Sequence, residues 1–230
     1  MVQLEIILAR HGQTAANADA ILQGGRLNPP LNECGKKQAV TLAEAMKYQK
    51  LDWIITSGMT RAIETANAVA KYHDAPFVSD SRLNEVSWGE LDGAKFADIN
   101  NTVHSVTSSW AHGDFDAKIK GGESANEAQK RILAAFTDIL KTACERQYHR
   151  ILVCIHGRIM RVIMATLIDK DLCKMQRFTH TNCSYHQIRT ELGGSGDPDP
   201  EKLKFVPIRI DVRDHLKMLG KVEPSICCSL

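Results

Sequence analysis

Leu8-Ala9-Arg10-His11-Gly12-Gln13-Thr14 closes an apolar run that begins at Val2. The run is rich in branched aliphatics and has the length of a buried strand. Gly12 then breaks the strand pattern. In an open α/β sheet, ligands bind at the carboxyl ends of the strands. An arginine and a histidine delivered there are placed to meet an anion. Taken alone, the pair reads equally well as two solvated basic residues at a strand end.

The same arrangement recurs far along the chain. Arg150-Ile151-Leu152-Val153-Cys154-Ile155 reads as a buried strand that ends in His156-Gly157, with a helix from about Arg158 to Ile168. Two such strand ends, each carrying a histidine, could converge on one site. Between them the pattern alternates. Asn32 can cap a helix from about Glu33 to Tyr48, whose Ala39, Leu42, Ala43 and Met46 share one face. Trp53-Ile54-Ile55-Thr56 is a short strand. Ser57 is expected to cap a helix through about Lys71, and another short strand is expected near Pro76–Ser79. This strand–helix alternation predicts a largely parallel sheet.

Residues 74–92 read mainly as loop, and Ala94–Lys120 as a polar, partly helical insertion holding Trp110 and His112. Ser124-x-x-Glu127 is a capping box that opens a long helix with Ile132, Phe136, Ile139, Leu140 and Ala143 on its apolar face. Cys183–Thr190 and Leu203–Val212 are expected to be alternating strands joined by a flexible hairpin loop, Gly193–Pro200. The organisation expected is one domain over 1–219, with an insertion covering the site near 94–120, and a tail over 220–230.

The chain has 230 residues, with 29 basic and 27 acidic side chains giving a net charge of +2. No overall field draws it to nucleic acid or a membrane surface, so anion selectivity must be local. No apolar stretch is long enough to span a bilayer, and the first residues lack the basic start of a secretory signal. The seven cysteines are irregularly spaced, with no C-x-x-C pair, and read as reduced thiols of a cytoplasmic protein. Cys227-Cys228-Ser229-Leu230 superficially resembles a prenylation box. Ser229 is not aliphatic and the upstream charge is sparse, so stable membrane anchoring is not expected.

Several landmarks now stand in order: Arg10-His11-Gly12-Gln13-Thr14 with Asn17; Pro30-Leu31-Asn32-Glu33-Cys34-Gly35 with Gln38-Ala39; and Ser57-Gly58-Met59-Thr60-Arg61-Ala62-Ile63-Glu64-Thr65-Ala66. Leu83-Asn84-Glu85 with Gly89 and Gly93, Gly121-Gly122-Glu123-Ser124 and Ile155-His156-Gly157 complete the set. Together, over roughly residues 4–190, they resemble the histidine phosphatase superfamily, the phosphoglycerate-mutase-like proteins. The resemblance implies a three-layer α/β/α sandwich with a mostly parallel central sheet and the site at its carboxyl edge.

Phosphoryl transfer needs an in-line nucleophile and positive groups around the equatorial oxygens. On the family's pattern His11 is the nucleophile, forming a phosphohistidine. A neutral imidazole can attack without a separate base. Arg10 and Arg61 would clamp the phosphoryl oxygens through planar guanidinium forks. Arg61 sits in the first turn of its helix, where free N–H groups also favour an anion. His156 would donate to the transferring group. Glu85 would protonate the leaving alkoxide and then activate water. It is preferred to Glu90 because it holds the family's Leu-x-Glu position. Glu123 reads as structural, beside its helix cap. Asn17 is expected on the phosphate, and Thr14, Gln23 and Gly24 on the phosphate or the substrate beyond it. No metal or cofactor is required, and His104 and His112 are too loosely placed to suggest a metal.

Mutases of this family carry an Arg-His-Tyr run straight after the acid-loop glutamate. Here Val86-Ser87-Trp88 stands in its place, which favours a phosphatase acting on a small phosphorylated sugar or other metabolite. A cofactor-dependent mutase and a non-catalytic phosphate-binding regulator remain the alternatives, and a homodimer stays open. Trp88, Trp110 and the insertion between them are expected to shape the leaving-group pocket. Arg158 departs from the small or apolar residue expected after His156-Gly157, and either adds a phosphate contact or points away along its helix.

Overall fold

Strand β1, Val2–Arg10, runs through the middle of a six-stranded sheet because Ile6-Ile7-Leu8-Ala9 is apolar on both faces, with Val2 and Leu4 extending one of them. Even positions Leu4, Ile6 and Leu8 enter one core, while Ile7 and Ala9 enter the other. The other strands are β2 (Trp53–Ser57), β3 (Phe77–Asp80), β4 (Arg150–Ile155), β5 (Tyr185–Leu192) and β6 (Val206–Val212), in the order β3-β2-β4-β1-β5-β6. The first four in that order pair parallel; β5 and β6 pair antiparallel. The computed structural model describes residues 1–193 and 198–219.

Helices α2 (Glu33–Met46) and α3 (Thr60–Ala70) cover one face. Helices α4 (Phe96–Ala111), α5 (Ala125–Arg146) and α6 (Gly157–Met164) contribute to the core on the other. A short helix α1 (Ala15–Ala18) follows β1. The result is the expected three-layer α/β/α sandwich. Because side chains alternate across a strand, a run apolar at successive positions needs both faces covered, and β4 shows it: Ile151, Val153 and Ile155 pack one way, Leu152 and Cys154 the other.

Two cap expectations hold. The Asn32 side chain accepts from Gly35 N, and Ser124 with Glu127 forms a reciprocal capping box. A third does not. Ser57 is the last residue of β2, and α3 begins at Thr60 with Met59 at its N-cap and no side-chain cap. The strand runs one residue longer than its apolar stretch, and the Ser57 hydroxyl is engaged by a histidine instead. The segment 94–120 is also more regular than its composition suggests. Helix α4 is unbroken over sixteen residues, burying Phe96, Ile99, Val103, Val106, Thr107 and Trp110. Those positions recur at helical spacing, but a threonine within the stripe blurs its contrast in sequence. His104 on it and His112 at its C-cap lie exposed.

Helix α6 ends at Met164 and continues as a wide turn, Ala165–Asp169. β6 does not alternate: Val206–Ile210 is exposed throughout and only Val212 is buried. It is an edge strand containing Pro207, whose missing N–H is tolerated there. The expected loop 193–200 lies partly, and the tail 220–230 with its terminal cysteines wholly, outside the described residues. Among the described residues, no helix is long and apolar enough to cross a membrane.

Candidate active site

The register of the central strands builds the site. Arg10 of β1 lies opposite Ile155 of β4, and His11 N donates to Ile155 O at 2.9 Å. The next residues, His11 and His156, therefore emerge side by side at the carboxyl edge, their ring centroids 5.1 Å apart. Both are buried, with exposures of 2% and 0%.

Backbone wiring fixes the turn after β1. Gly12 N donates to Thr65 Oγ1 at 2.9 Å, and Gln13 N to Gln38 Oε1 at 2.9 Å. Gly12 and Gly35 meet so closely that a Cβ on Gly12 would stand 2.6 Å from Gly35 O. Neither residue can carry a side chain without moving backbone.

Hydrogen bonds set the ring states. His11 Nδ1 stands 2.7 Å from Gly12 O, a pure acceptor, so Nδ1 carries the proton and Nε2 the lone pair. Arg61 Nε donates to His11 Nε2 at 3.3 Å and to His156 Nδ1 at 3.2 Å. His156 therefore carries its proton on Nε2, which donates to Ser57 Oγ at 2.7 Å. Burial, then the guanidinium charges of Arg61 and Arg10, hold the proton affinity of His11 well below that of a free histidine. Burial, then Arg61, does the same to His156. Burial also lowers Arg61, to about 10, so it remains a cation at neutral pH. Its two NH groups are spread on Leu27 O and Gly24 O, which orient the fork.

Glu85 closes the other side. Its carboxylate accepts from Val86 N at 3.0 Å and, at the start of α6, from Arg158 N at 3.1 Å and Ile159 N at 2.9 Å. Its charge is felt at Arg61. A cavity of about 40 Å³ is lined by Arg10, Glu85, Trp88, Phe96, Arg158 and His180, while a cleft of about 390 Å³ also reaches Glu85.

The profile of the histidine phosphatase superfamily (branch 1) matches residues 6–196. The chain belongs to this superfamily. A curated relative named Probable phosphoglycerate mutase GpmB, from Proteus mirabilis (strain HI4320), is 29% identical over 185 residues, covering 80% of this chain and 84% of the relative. Among solved structures, a mycobacterial glucosyl-3-phosphoglycerate phosphatase matches with a TM-score of 0.78 at 23% identity, over 91% of this chain and 99% of that one. A phosphoglycerate mutase from Bacillus anthracis str. Sterne matches with a TM-score of 0.78 at 21% identity, over 94% and 96%. At these identities the structural likeness speaks for the fold.

In this superfamily member, Arg10, His11, Arg61, Glu85 and His156 gather at one sheet edge. The other sequence-derived candidates stand behind them. Thr14 is fully buried, capping α1 and donating its hydroxyl to Gln23 Oε1 at 3.0 Å. Asn17 Oδ1 accepts from Thr14 N and from Asn182 Nδ2, each at 3.2 Å. Gly24 presents its carbonyl to Arg61 and has a φ of +51°, which strains any side chain, and a Cβ there would displace the Asp92 carboxylate, meeting Oδ1 at 1.8 Å. Glu123 forms a two-pronged ion pair with Arg131, through Nε at 2.6 Å and NH2 at 2.7 Å, consistent with a structural role. Glu90 is exposed.

Three residues of the site escaped sequence reading. Ser57 orients His156. Asn182 Nδ2 donates to His11 O at 3.1 Å, and Arg10 NH1 donates to His180 Nδ1 at 3.3 Å. The polar run His180-Thr181-Asn182 shortly before strand β5 was the available signal for the last two. Trp88 and Trp110 stack with centroids 5.5 Å apart. Trp88 lines the small cavity, whereas Trp110 is fully buried beneath it. Among the described residues no group of three or more His, Cys, Asp or Glu side chains is arranged to hold a metal ion.

Proposed function

We propose that this chain is a phosphatase that hydrolyses a small phosphorylated metabolite through a phosphohistidine on His11. The observation that carries the reading is the buried His11 ring, with its proton tied to Gly12 O and its Nε2 lone pair turned toward a guanidinium. A neutral, oriented imidazole facing fixed positive charge is what attack on a phosphoryl group requires. Arg10 and Arg61 neutralise the equatorial oxygens. The amide of Asn17 supplies a further donor, while His156, its one N–H given to Ser57 Oγ, accepts from Arg61 Nε and holds that guanidinium in place. Glu85, which lines a cavity with Arg10, gives a proton to the leaving oxygen and then takes one from the attacking water.

Two observations favour hydrolysis over mutase turnover. Val86 and Trp88, which follow Glu85, are buried in the core, and Ser87 Oγ donates to Asp92 at 3.2 Å. No cation therefore follows the acid directly to retain an intermediate for re-phosphorylation. The curated relative's name keeps the mutase as the second reading. Purified protein should release phosphate from 4-nitrophenyl phosphate and from a panel of phosphorylated sugars, and His11→Ala should abolish it. Bisphosphate-dependent interconversion of phosphoglycerates, faster than their hydrolysis, would establish the mutase instead.

A further inference from the structure

Arg158 has a side-chain position that the reaction outlined above leaves without a task. Its backbone N–H holds Glu85. Its guanidinium lies over the Trp88 ring, 5.6 Å from the centroid, and NH1 donates to Gln176 Oε1 at 3.1 Å. Arg161, one helical turn on and buried, donates to the same oxygen. A neutral amide thus holds two guanidinium groups together. Arg158 also lines the 40 Å³ cavity shared with Arg10, Glu85 and His180. Arg10, Arg161 and Arg158 all lie close enough to His180 to repel a proton from it. That volume holds about three waters, comparable with one carboxylate or phosphate group. A guanidinium fork matches either anion and also stacks on an aromatic plate.

We propose that Arg158 determines substrate specificity by binding a second anionic group, carboxylate or phosphate, carried by the leaving group. The proposal rests on the phosphomonoesterase reading and names its substrate class. It gives one residue two linked tasks: the backbone of Arg158 fixes the acid and its side chain fixes the alcohol that the acid protonates. Arg161 and Gln176 position that side chain. The leaving group must be short, since Glu85, which protonates its ester oxygen, and Arg158 line the same small cavity.

The test uses three probes on one three-carbon frame: propyl phosphate, 3-(phosphonooxy)propanoate and propane-1,3-diol bisphosphate. Their binding to the full chain carrying His11→Ala, which prevents turnover, is measured by calorimetry. At least one of the two doubly anionic probes should bind tenfold or more tighter than propyl phosphate, and which one does so identifies the second anion. Adding Arg158→Gln should bring the probes within about threefold of each other. Arg158→Lys, which keeps the charge and loses the fork, should lower the preference by about threefold or more, and it serves if the glutamine variant fails to fold. Equal binding of all three probes, or a preference unchanged by either substitution, overturns the proposal. Failure of the phosphatase reading shows separately, as no phosphate release from any ester by the unmodified chain.

Discussion

Acidification from pH 7 to pH 5.5 should strip this protein of much of its stability while its carboxylates are still ionised. Four histidines are deeply buried: His11, His156, His180 and His186. Burial is the largest cause lowering each one, and His186 is brought down to about 4. In the unfolded chain each returns to about 6.5. Below that pH the unfolded state binds protons that the folded state refuses. Stability is therefore fully present above about 6.5 and is lost as pH falls, until the folded-state values are reached. Between pH 7 and 5.5 the loss is about 1.2 kcal/mol for each histidine and about 5 kcal/mol for the four. That is comparable with the whole stability of many domains. Urea unfolding followed by far-UV circular dichroism should show the midpoint falling by on the order of 2 M. His186→Gln, away from the candidate site, should reduce the drop by about one quarter. Stability that stays within about 1 kcal/mol over this range would refute the claim that these rings are buried and neutral.

Glu85→Gln keeps a hydrogen-bonding side chain but no transferable proton. It should slow hydrolysis of alkyl phosphates by about a hundredfold or more, with a smaller loss on 4-nitrophenyl phosphate, whose leaving group needs no acid. Equal losses on both, in steady-state phosphate release, would assign Glu85 a positioning role instead. Gly35→Ala tests the close approach beneath the motif. Alanine gains about 1 kcal/mol in helix propensity, yet its Cβ would stand 2.0 Å from Gln13 O. Overpacking against backbone should cost about 3 kcal/mol or more and so dominate, which a lowered urea midpoint together with reduced phosphate release would register.

The parallel core of the fold is written plainly in the chain. β4 is a continuous apolar run after Arg150, β1 is one from Ile6 to Ala9, and His-Gly marks where each stops. Their register turns two separate histidines into a pair, and sequence can suggest that convergence without supplying the 5.1 Å between the rings. Arg61 and Glu85 are legible through their place in ordered landmarks rather than through their own surroundings. The losses have physical causes. Ser57 resembles a helix cap in sequence because serine at a strand–helix junction commonly is one, but here the strand takes it and a histidine claims its hydroxyl. Helix α4 hides because Thr107 sits in its buried stripe. His180 and Asn182 reach the site from a turn before an antiparallel strand, contacts across 170 and 171 residues that no local pattern encodes.

The central claim is that His11 carries the phosphoryl group during turnover. Protein mixed rapidly with substrate and quenched in alkali should contain one acid-labile, alkali-stable phosphate, located by mass spectrometry on the peptide that includes His11. The label should be absent from His11→Ala and, with 4-nitrophenyl phosphate as substrate, should accumulate in Glu85→Gln, where formation needs no acid but water attacks slowly. Phosphate release that proceeds at full rate in His11→Ala, or a label found on any other residue, would contradict the account.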